Sequence, residues 1–349
     1  MSTNGVEYAY FGAANTAGGF RSLFSSLFDP YGGAWQRLYI LKGGPGTGKS
    51  WFLRRCAEEA ERRGEAVEYI YCSSDTASLD GIRIPSRGVA VYDGTAPHTG
   101  DPAIVGAVEQ IVHLGAFLDS DALAARTGEI RARIEQKRAH YVRAGRYLRA
   151  AGSVRAEILD LCSQSFLHEK ARAAARRTVR AFAAQAHPDV QVRFFTAHSV
   201  QGCVHLPTLE KKGACVPVCG DGAPLFLAAL CEAAALRGVS YVRCADPLCP
   251  EDTEGVWFSD AGIGYLWDRY GVPMAGKPLQ TRRFIDADAA RRHRSYLRFA
   301  KRCQSALLEG AYSELALAGE CHGALERIYT AAMDFDALNR YCDGFLREF

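Results

Sequence analysis

The segment that most constrains the fold is a glycine-rich octapeptide, Gly43-Gly44-Pro45-Gly46-Thr47-Gly48-Lys49-Ser50. A short apolar run, residues 37–42, precedes it and predicts a buried strand that stops at the glycines. After it, apolar residues recur at helical spacing from Phe52 to Ala60, and Gly64 predicts the end of that helix. A strand, a glycine-rich turn and a helix in this order are the setting of a phosphate-binding loop, or P-loop.

Each residue type in the octapeptide has a physical role in holding a polyphosphate. Glycines permit positive φ angles and let backbone N–H groups approach the anion, and the helix N-terminus that follows attracts negative charge. Lys49 is predicted to contact the β- and γ-phosphates, and Ser50 to ligate Mg²⁺. The sequence therefore predicts that Gly43–Ser50 binds ATP with Mg²⁺, and no N/T-K-x-D guanine-reading motif points to GTP.

An acidic residue at the end of a neighbouring strand usually completes such a site. Asp93 follows a short apolar run and is the predicted second metal ligand, with a catalytic role beside Lys49. The next residue is Gly94, so the adjacent carboxylate with which many ATP-hydrolysing proteins activate water is missing. Two further catalytic candidates lie in predicted strand-end loops, Asp75 as a general base and His98 as a contact for the γ-phosphate.

The order of segments predicts two lobes of similar construction. Residues 1–189 form the first, an α/β unit with a helical appendage from about 103 to 187. Residues 190–349 form the second, with helices from about 284 to the end. Strands that alternate with helices predict a parallel sheet covered by helices in each lobe.

A shift of 174 residues aligns the P-loop helix with a segment of the second lobe and suggests a tandem repeat. Lys49 aligns with Ala223 and Ser50 with Pro224, so the phosphate cation and the metal hydroxyl are both lost there. Asp268 aligns loosely with Asp93. The fold class predicted is thus α/β with tandem P-loop NTPase-like lobes, the second of them degenerate.

Composition is that of an ordinary globular protein, with a net charge of +3 and 12 cysteines scattered through apolar stretches. No leader and no membrane-spanning run is evident, so a cytoplasmic protein with reduced thiols is expected. The stretch 126–182 holds 14 Lys and Arg against 5 Asp and Glu. Such arginines are typical of a solvated helix face, and the helices are expected to pack between the two halves of the chain; nucleic-acid binding is the weaker alternative.

With these residues in view, the chain resembles a group of uncharacterised bacterial two-lobed P-loop ATP-binding proteins, described as predicted ATPases or nucleotide kinases. The resemblance covers essentially the full length. It rests on Gly43–Ser50, Cys72-Ser73-Ser74-Asp75 with Leu79-Asp80-Gly81, Asp93-Gly94-Thr95-Ala96-Pro97-His98 and Met333-Asp334-Phe335-Asp336. It implies ATP binding and a tandem architecture, in which each half tends to carry a P-loop; the degenerate second loop departs from that pattern.

Three functions remain open from the sequence. The first is a slow Mg²⁺-dependent ATPase whose turnover drives a conformational change between the lobes. The second is a kinase for a small molecule or nucleotide, with Asp75 near the acceptor hydroxyl. The third is a scaffold that senses ATP without hydrolysing it and passes the bound state to a protein partner.

Overall fold

A computed structural model describes residues 8–349. The first half of the chain contains β1 Tyr8–Phe11, β2 Ala13–Thr16, β3 Gly19–Ser22, α1 Phe24–Leu27, β4 Arg37–Lys42, α2 Lys49–Arg62, β5 Glu68–Tyr71, β6 Leu79–Ile84, β7 Val89–Asp93, β8 Glu109–His113, α3 Ser120–Ala124, α4 Thr127–Gln164 and α5 His168–Val179. The second half contains β9 Val190–Arg193, β10 Thr196–Ser199, β11 Gly202–His205, α6 Thr208–Lys212, β12 Ala214–Cys219, α7 Ala223–Arg237, β13 Tyr241–Ala245, β14 Thr253–Phe258, β15 Ile263–Trp267, β16 Leu279–Gln280, α8 Ala287–Thr330 and α9 Phe335–Glu348.

Each half builds one six-stranded sheet within the described residues. The strand orders are β1-β5-β6-β7-β4-β8 and β9-β13-β14-β15-β12-β16. The α/β class is confirmed, but the expected parallel sheet is wrong, because β6 and β14 run antiparallel to both of their neighbours. The links into and out of these two strands are too short for the crossover of a dozen or more residues that parallel neighbours need.

The expectation of nearly continuous helix from about 103 to 187 is wrong at its start. There β8 pairs in parallel with β4 and closes the edge of the first sheet. Polar residues concealed this strand, since Glu109 disfavours a strand assignment. In the structure Glu109 is buried and its carboxylate accepts the N–H groups of Ala103 and Ile104, at 2.6 and 2.8 Å, which fixes the preceding loop.

The helix predicted after the glycine-rich loop is confirmed as α2. It begins directly after Gly48, which has a φ of 80°, and Gly64 takes a φ of 81° just beyond its end. The helix buries Phe52, Leu53 and its small apolar residues against the sheet. Replacing Phe52 with Ala would cost about 3–5 kcal/mol of stability, the usual value for a fully buried aromatic residue.

Two long antiparallel helices, α4 and α8, join the lobes. Ile130 near the start of α4 packs against Leu325 near the end of α8, and Ile158 near the end of α4 packs against Ala300. The helices beyond them cross over. The α9 helix packs on α2 in the first lobe, and α5 packs on α7 in the second, so each half of the chain supplies a helix to the core of the other.

The two lobes also meet directly. The N–H of Phe11 donates to the carbonyl of Phe194 at 2.8 Å, so the edge strands of both sheets touch at corresponding residues. A shared apolar cluster of Tyr10, Ile70, Phe195, Val242 and Trp257 draws from both halves. The glycine-rich loop of the first lobe lies at the end of α8, and residues 220–222 of the second lobe lie near its beginning, so the two loops are at opposite ends of the α4–α8 pair.

Candidate functional site

The loop between β4 and α2 has the backbone shape that its glycines predict. Gly46 and Gly48 have φ angles of 70° and 80°, which residues with a Cβ rarely adopt. Among residues 8–349, the N–H groups of Gly46, Thr47 and Gly48 donate to no acceptor. The first N–H groups of α2 lack partners by helix geometry. The loop thus presents a row of unpaired donors in front of a helix N-terminus.

Lys49 and Ser50, the first residues of α2, follow this loop directly. The Lys49 Nζ donates to the carbonyls of Gly43 and Gly44 at 3.0 and 2.8 Å, which holds the ammonium group beside the loop. The Ser50 Oγ accepts the N–H of Leu79 at 3.0 Å, so its own O–H stays available as a donor and its oxygen has a second lone pair. Both side chains are fixed by the first lobe.

Asp93 lies at the end of β7 with its carboxylate next to the lysine. Its Oδ1 accepts the N–H and the hydroxyl of Thr95 at 2.8 and 2.6 Å, and its Oδ2 lies 3.6 Å from the Lys49 Nζ. Burial raises the pKa of Asp93, and the charge of Lys49 opposes that rise. The structure therefore brings together the predicted phosphate cation and the predicted metal carboxylate.

Asp80 is a site residue to which sequence reasoning gave no role. The register of β6 and β7 pairs Gly81 with Tyr92, which puts Asp80 beside Asp93 at the same edge of the sheet. Its negative charge contributes to the raised pKa of Asp93. The Leu79-Asp80-Gly81 pattern is the available signal, but the sequence predicts no strand there, so the position of Asp80 at the sheet edge does not follow from it.

His98 and Asp75 lie further from the loop. His98 is buried with its Nε2 3.1 Å from the Asp80 Oδ2, its Nδ1 3.4 Å from the Ser22 Oγ, and its ring stacked on Phe24 at 4.0 Å. These contacts tie the β2–β3 hairpin to the sheet. Asp75 accepts from the Ser78 Oγ at 2.7 Å and from the Gln201 Nε2 of the second lobe at 3.2 Å.

The end of α8 lies directly on the loop. A Cβ on Gly46 would come within 2.7 Å of the Glu326 carbonyl and of the Thr330 Oγ1, and one on Gly44 within 3.1 Å of the Tyr329 ring. The Thr330 Oγ1 is 3.4 Å from the Gly46 carbonyl. Gly46 is thus required both by its φ and by the close approach of a helix that belongs to the second half of the chain.

A cation from the helical pair faces the same place. Lys137 on α4 lies 3.5 Å from the Nδ1 of His322, which shares the face of α8 that carries Glu326. Among residues 8–349, Lys137 is in no ion pair, and burial together with the nearby charge of Lys49 lowers its pKa. Burial and Lys137 likewise lower the pKa of His322. The sequence predicts a basic helix here but does not single out Lys137 as a site residue.

The corresponding loop of the second lobe is built differently. Only Gly220, Asp221 and Gly222 separate β12 from α7, against six residues in the first lobe. Ala223 and Pro224 are the first residues of α7, and Asp221 is neutralised by Lys301 at 2.5 Å. This loop offers an anion neither a cation nor a hydroxyl.

The suggested counterpart of Asp93 in the second lobe is wrong. In the first sheet, the register of β4 and β7 pairs Leu41 with Asp93. In the second sheet, Val218 holds the position equivalent to Leu41, and the register of β12 and β15 pairs it with Trp267. The N–H of Asp268 donates to the Val218 carbonyl as that of Gly94 donates to the Leu41 carbonyl, so Asp268 matches Gly94. An indole thus stands where the first lobe has its carboxylate.

Comparison with family models, with curated proteins and with solved structures found no match, so the resemblance and the nucleotide-binding role remain predictions. No helix of residues 8–349 has both the length and the apolar composition needed to cross a membrane. Within the same residues, no three His, Cys, Asp or Glu side chains are grouped closely enough to hold a metal alone. Mg²⁺ at a P-loop does not require such a group, because phosphate oxygens and water supply most of its ligands.

Proposed function

We propose that this protein is a Mg²⁺-dependent, ATP-binding P-loop protein that hydrolyses ATP slowly and transmits the bound state through its helical pair. The proposal rests on two features that occur together in one loop. The N–H groups of Gly46, Thr47 and Gly48 donate to no acceptor among the described residues, and the Lys49 ammonium group lies next to Asp93. Neutral donors and one fixed cation around a concave loop are what a polyphosphate needs.

The residues present fit Mg²⁺ with a nucleotide. The Ser50 hydroxyl and the Asp93 carboxylate are the side chains that would hold the ion, and Asp80 adds negative charge at the same sheet edge. When bound, the ion supplies neutralisation of charge on the β- and γ-phosphates. The Lys49 ammonium group binds phosphate oxygens, and the buried position of Asp93 strengthens its attraction for cations.

We expect hydrolysis to be slow because none of the candidate bases among the described residues is free. Gly94 offers no carboxylate, and Asp80 already has His98 at 3.1 Å. Asp75 is occupied by Ser78 and by Gln201 of the second lobe. We assign to Lys137 the stabilisation of the negative charge that develops on the transferred phosphoryl group. It is a cation of the α4–α8 pair that takes part in no ion pair among the described residues.

Coupling to conformation follows from the contact between α8 and the loop. We expect a shift of Gly46 on nucleotide binding to move the Glu326 and Thr330 turn of α8. The Glu326 carbonyl leaves no room for a Cβ on Gly46, and the Thr330 Oγ1 lies 3.4 Å from the Gly46 carbonyl. The α4–α8 pair then carries the displacement to the second lobe, where the end of α4 packs. Packed helices transmit such shifts as rigid elements.

The test is calorimetric titration of the protein with a non-hydrolysable ATP analogue, with and without Mg²⁺, followed by a turnover assay with ATP. We expect Mg²⁺-dependent binding at one site per chain, and turnover below that of fast ATPases. No binding would overturn the proposal. Turnover that rises sharply with one metabolite would favour the kinase alternative, and binding without turnover would favour the scaffold.

A further inference from the structure

A polar cavity lies away from the glycine-rich loop, in the cleft between the two lobes. It has a volume of about 460 Å³, within the range of small-molecule sites. Four arginines line it, Arg21 and Arg83 from the first half and Arg193 and Arg243 from the second. An accumulation of guanidinium groups around one cavity is unfavourable unless something compensates their charge.

The carboxylates of the described residues compensate this charge only in part. Arg83 pairs with Glu68 at 2.7 Å, and Asp189 is the acidic residue that lines the cavity. Among residues 8–349, Arg21, Arg193 and Arg243 take part in no ion pair. Arg193 is only 5% exposed, and its Nε is buried without an acceptor. A positive charge excess therefore remains in a partly desolvated place.

Neutral groups hold two of these arginines in position. The guanidinium of Arg193 donates to the carbonyl of Val192 and to the side-chain oxygen of Gln191, both at 2.8 Å, and lies over the Tyr10 ring at 4.8 Å. Arg243 donates to the carbonyls of Pro250 and Asp252 at 2.9 and 3.1 Å. Such contacts orient the guanidinium planes and leave their charge available, as a preorganised anion site requires.

The corresponding positions on the other side of the interface carry no arginine. By strand register, the residues that correspond to Arg83, Arg193 and Arg243 are aromatic: Trp257, Tyr10 and Tyr69. A packing role alone would have been served by similar aromatic residues in the cleft. The arginines are thus a feature of this cleft and not of the fold.

We propose that the inter-lobe cleft is a binding site for a phosphorylated small molecule, whose phosphate is held by Arg21, Arg193 and Arg243. Planar guanidinium groups match phosphate oxygens in geometry and charge, and Leu23 and Val190 in the same lining offer contact for an apolar part of the ligand. Because the cation set comes from both halves, occupancy would fix the two lobes relative to each other. The site does not depend on the P-loop proposal.

The experiment uses inorganic pyrophosphate as the probe and the full chain carrying Lys49→Ala, which removes the P-loop cation. Calorimetry should still show pyrophosphate binding in this background. Adding Arg21→Gln or Arg243→Gln should weaken it about 5- to 10-fold each, and Arg193→Lys by a similar factor, because each removes a charge-assisted contact or its planar geometry. Arg146→Gln, at an exposed arginine on α4, is the matched control and should change nothing.

Arg21 is exposed on the surface, so its variant tests the proposal even where a change at buried Arg193 impairs folding. Absence of pyrophosphate binding in the Lys49→Ala protein would overturn the proposal, as would binding that none of the arginine variants affects. A single-stranded oligonucleotide that binds much more tightly than pyrophosphate, and loses affinity in the same variants, would contradict a small-molecule ligand and assign the cleft to nucleic acid.

Discussion

The first and second lobes have the same strand order. The loops that precede α2 and α7, however, differ in every side chain that could bind a phosphate. The loop of the first lobe has six residues and that of the second has three. In addition, Ala223, Pro224 and Trp267 stand in the second lobe where the first has Lys49, Ser50 and Asp93. Both sheets are equally complete. The second lobe shows that this fold forms without these polar side chains. Folding alone therefore does not explain why the first lobe has them.

Ion pairs and a tryptophan ring take the place of these polar side chains in the second lobe. In the second lobe the ring of Trp267 is covered by the guanidinium groups of Arg155 and Arg269, at 4.8 and 4.3 Å. Arg155 and Arg269 also approach buried Asp246, at 3.8 and 3.0 Å. The charges around Trp267 are thus neutralised within the protein. In the first lobe, among the described residues, the N–H groups of Gly46, Thr47 and Gly48 donate to no acceptor and Lys137 takes part in no ion pair.

The largest expected effect comes from Lys49→Ala. Loss of the ammonium group should weaken binding of the ATP analogue about 100-fold, because a charge-assisted contact to phosphate contributes up to about 3 kcal/mol. Calorimetry measures the change. The double variant Lys49→Ala/Asp93→Asn serves as a control for the buried carboxylate left without its cation; it should recover thermal stability but not affinity. Unchanged affinity in the single variant would refute the role of Lys49.

A second contrast between the lobes concerns pH. His198 is buried in the second lobe, where burial lowers its pKa to about 4, and Asn15 holds the matching place in the first. The folded pKa lies below the ordinary value of 6.5, so the stability contribution of neutral His198 is complete above pH 6.5 and is lost as the pH falls towards 4. At pH 5 the loss is about 2 kcal/mol.

Urea unfolding of the wild type and of His198→Asn between pH 7 and pH 5 measures this effect. The variant carries the residue of the first lobe and should lose less stability over that interval, whatever its stability at pH 7. Parallel pH profiles for the two proteins would show that His198 does not titrate as its surroundings indicate.

Asp93→Asn should lower affinity for the nucleotide about 10-fold in the presence of Mg²⁺ and leave affinity without the ion nearly unchanged, because the amide removes the charge that attracts the cation. Calorimetry at several Mg²⁺ concentrations gives both values. Asp101→Asn, at an exposed carboxylate paired with Lys42, is the matched control. Equal losses with and without Mg²⁺ would assign Asp93 to loop structure instead.

Lys137→Gln tests the cation of the helical pair. Lys137 follows the helix-capping residue Asp119 by the same number of residues as Gln304 follows the helix-capping residue Asp286. The variant therefore gives the first lobe the side chain that the second lobe has at this position. We expect kcat for ATP to fall about 5-fold with little change in binding, because the charge acts on the transition state. A fall in affinity with unchanged kcat would place Lys137 in ground-state binding.

The smallest effect is expected from Ala223→Lys in the second lobe. The added lysine should create no second nucleotide site, since the loop lacks three residues, Pro224 offers no hydroxyl and Asp221 is already paired. The stoichiometry of analogue binding should stay at one per chain. A second equivalent of bound analogue would show that the lysine alone decides between the lobes.

The sequence made the local parts of this structure predictable. β4, α2 and β7 follow from apolar periodicity and glycine stops, and the approach of Lys49 to Asp93 follows from neighbouring strand ends. β6 and β8 were hidden because Asp80, Gly81 and Glu109 are poor strand formers whose burial depends on partners distant in sequence. The crossing of α5 and α9 between lobes leaves no local signal, since an apolar helix face does not specify which core covers it.

A crystal structure with Mg²⁺ and a non-hydrolysable ATP analogue tests nucleotide binding at the first loop most directly. We expect the β- and γ-phosphates to lie on the N–H groups of residues 46–50, with Lys49 at the phosphates and Ser50 and Asp93 at the ion. Nucleotide bound at the second loop or only in the arginine cleft, or a first loop closed by α8 with no nucleotide in it, would show that the first loop is not the nucleotide site.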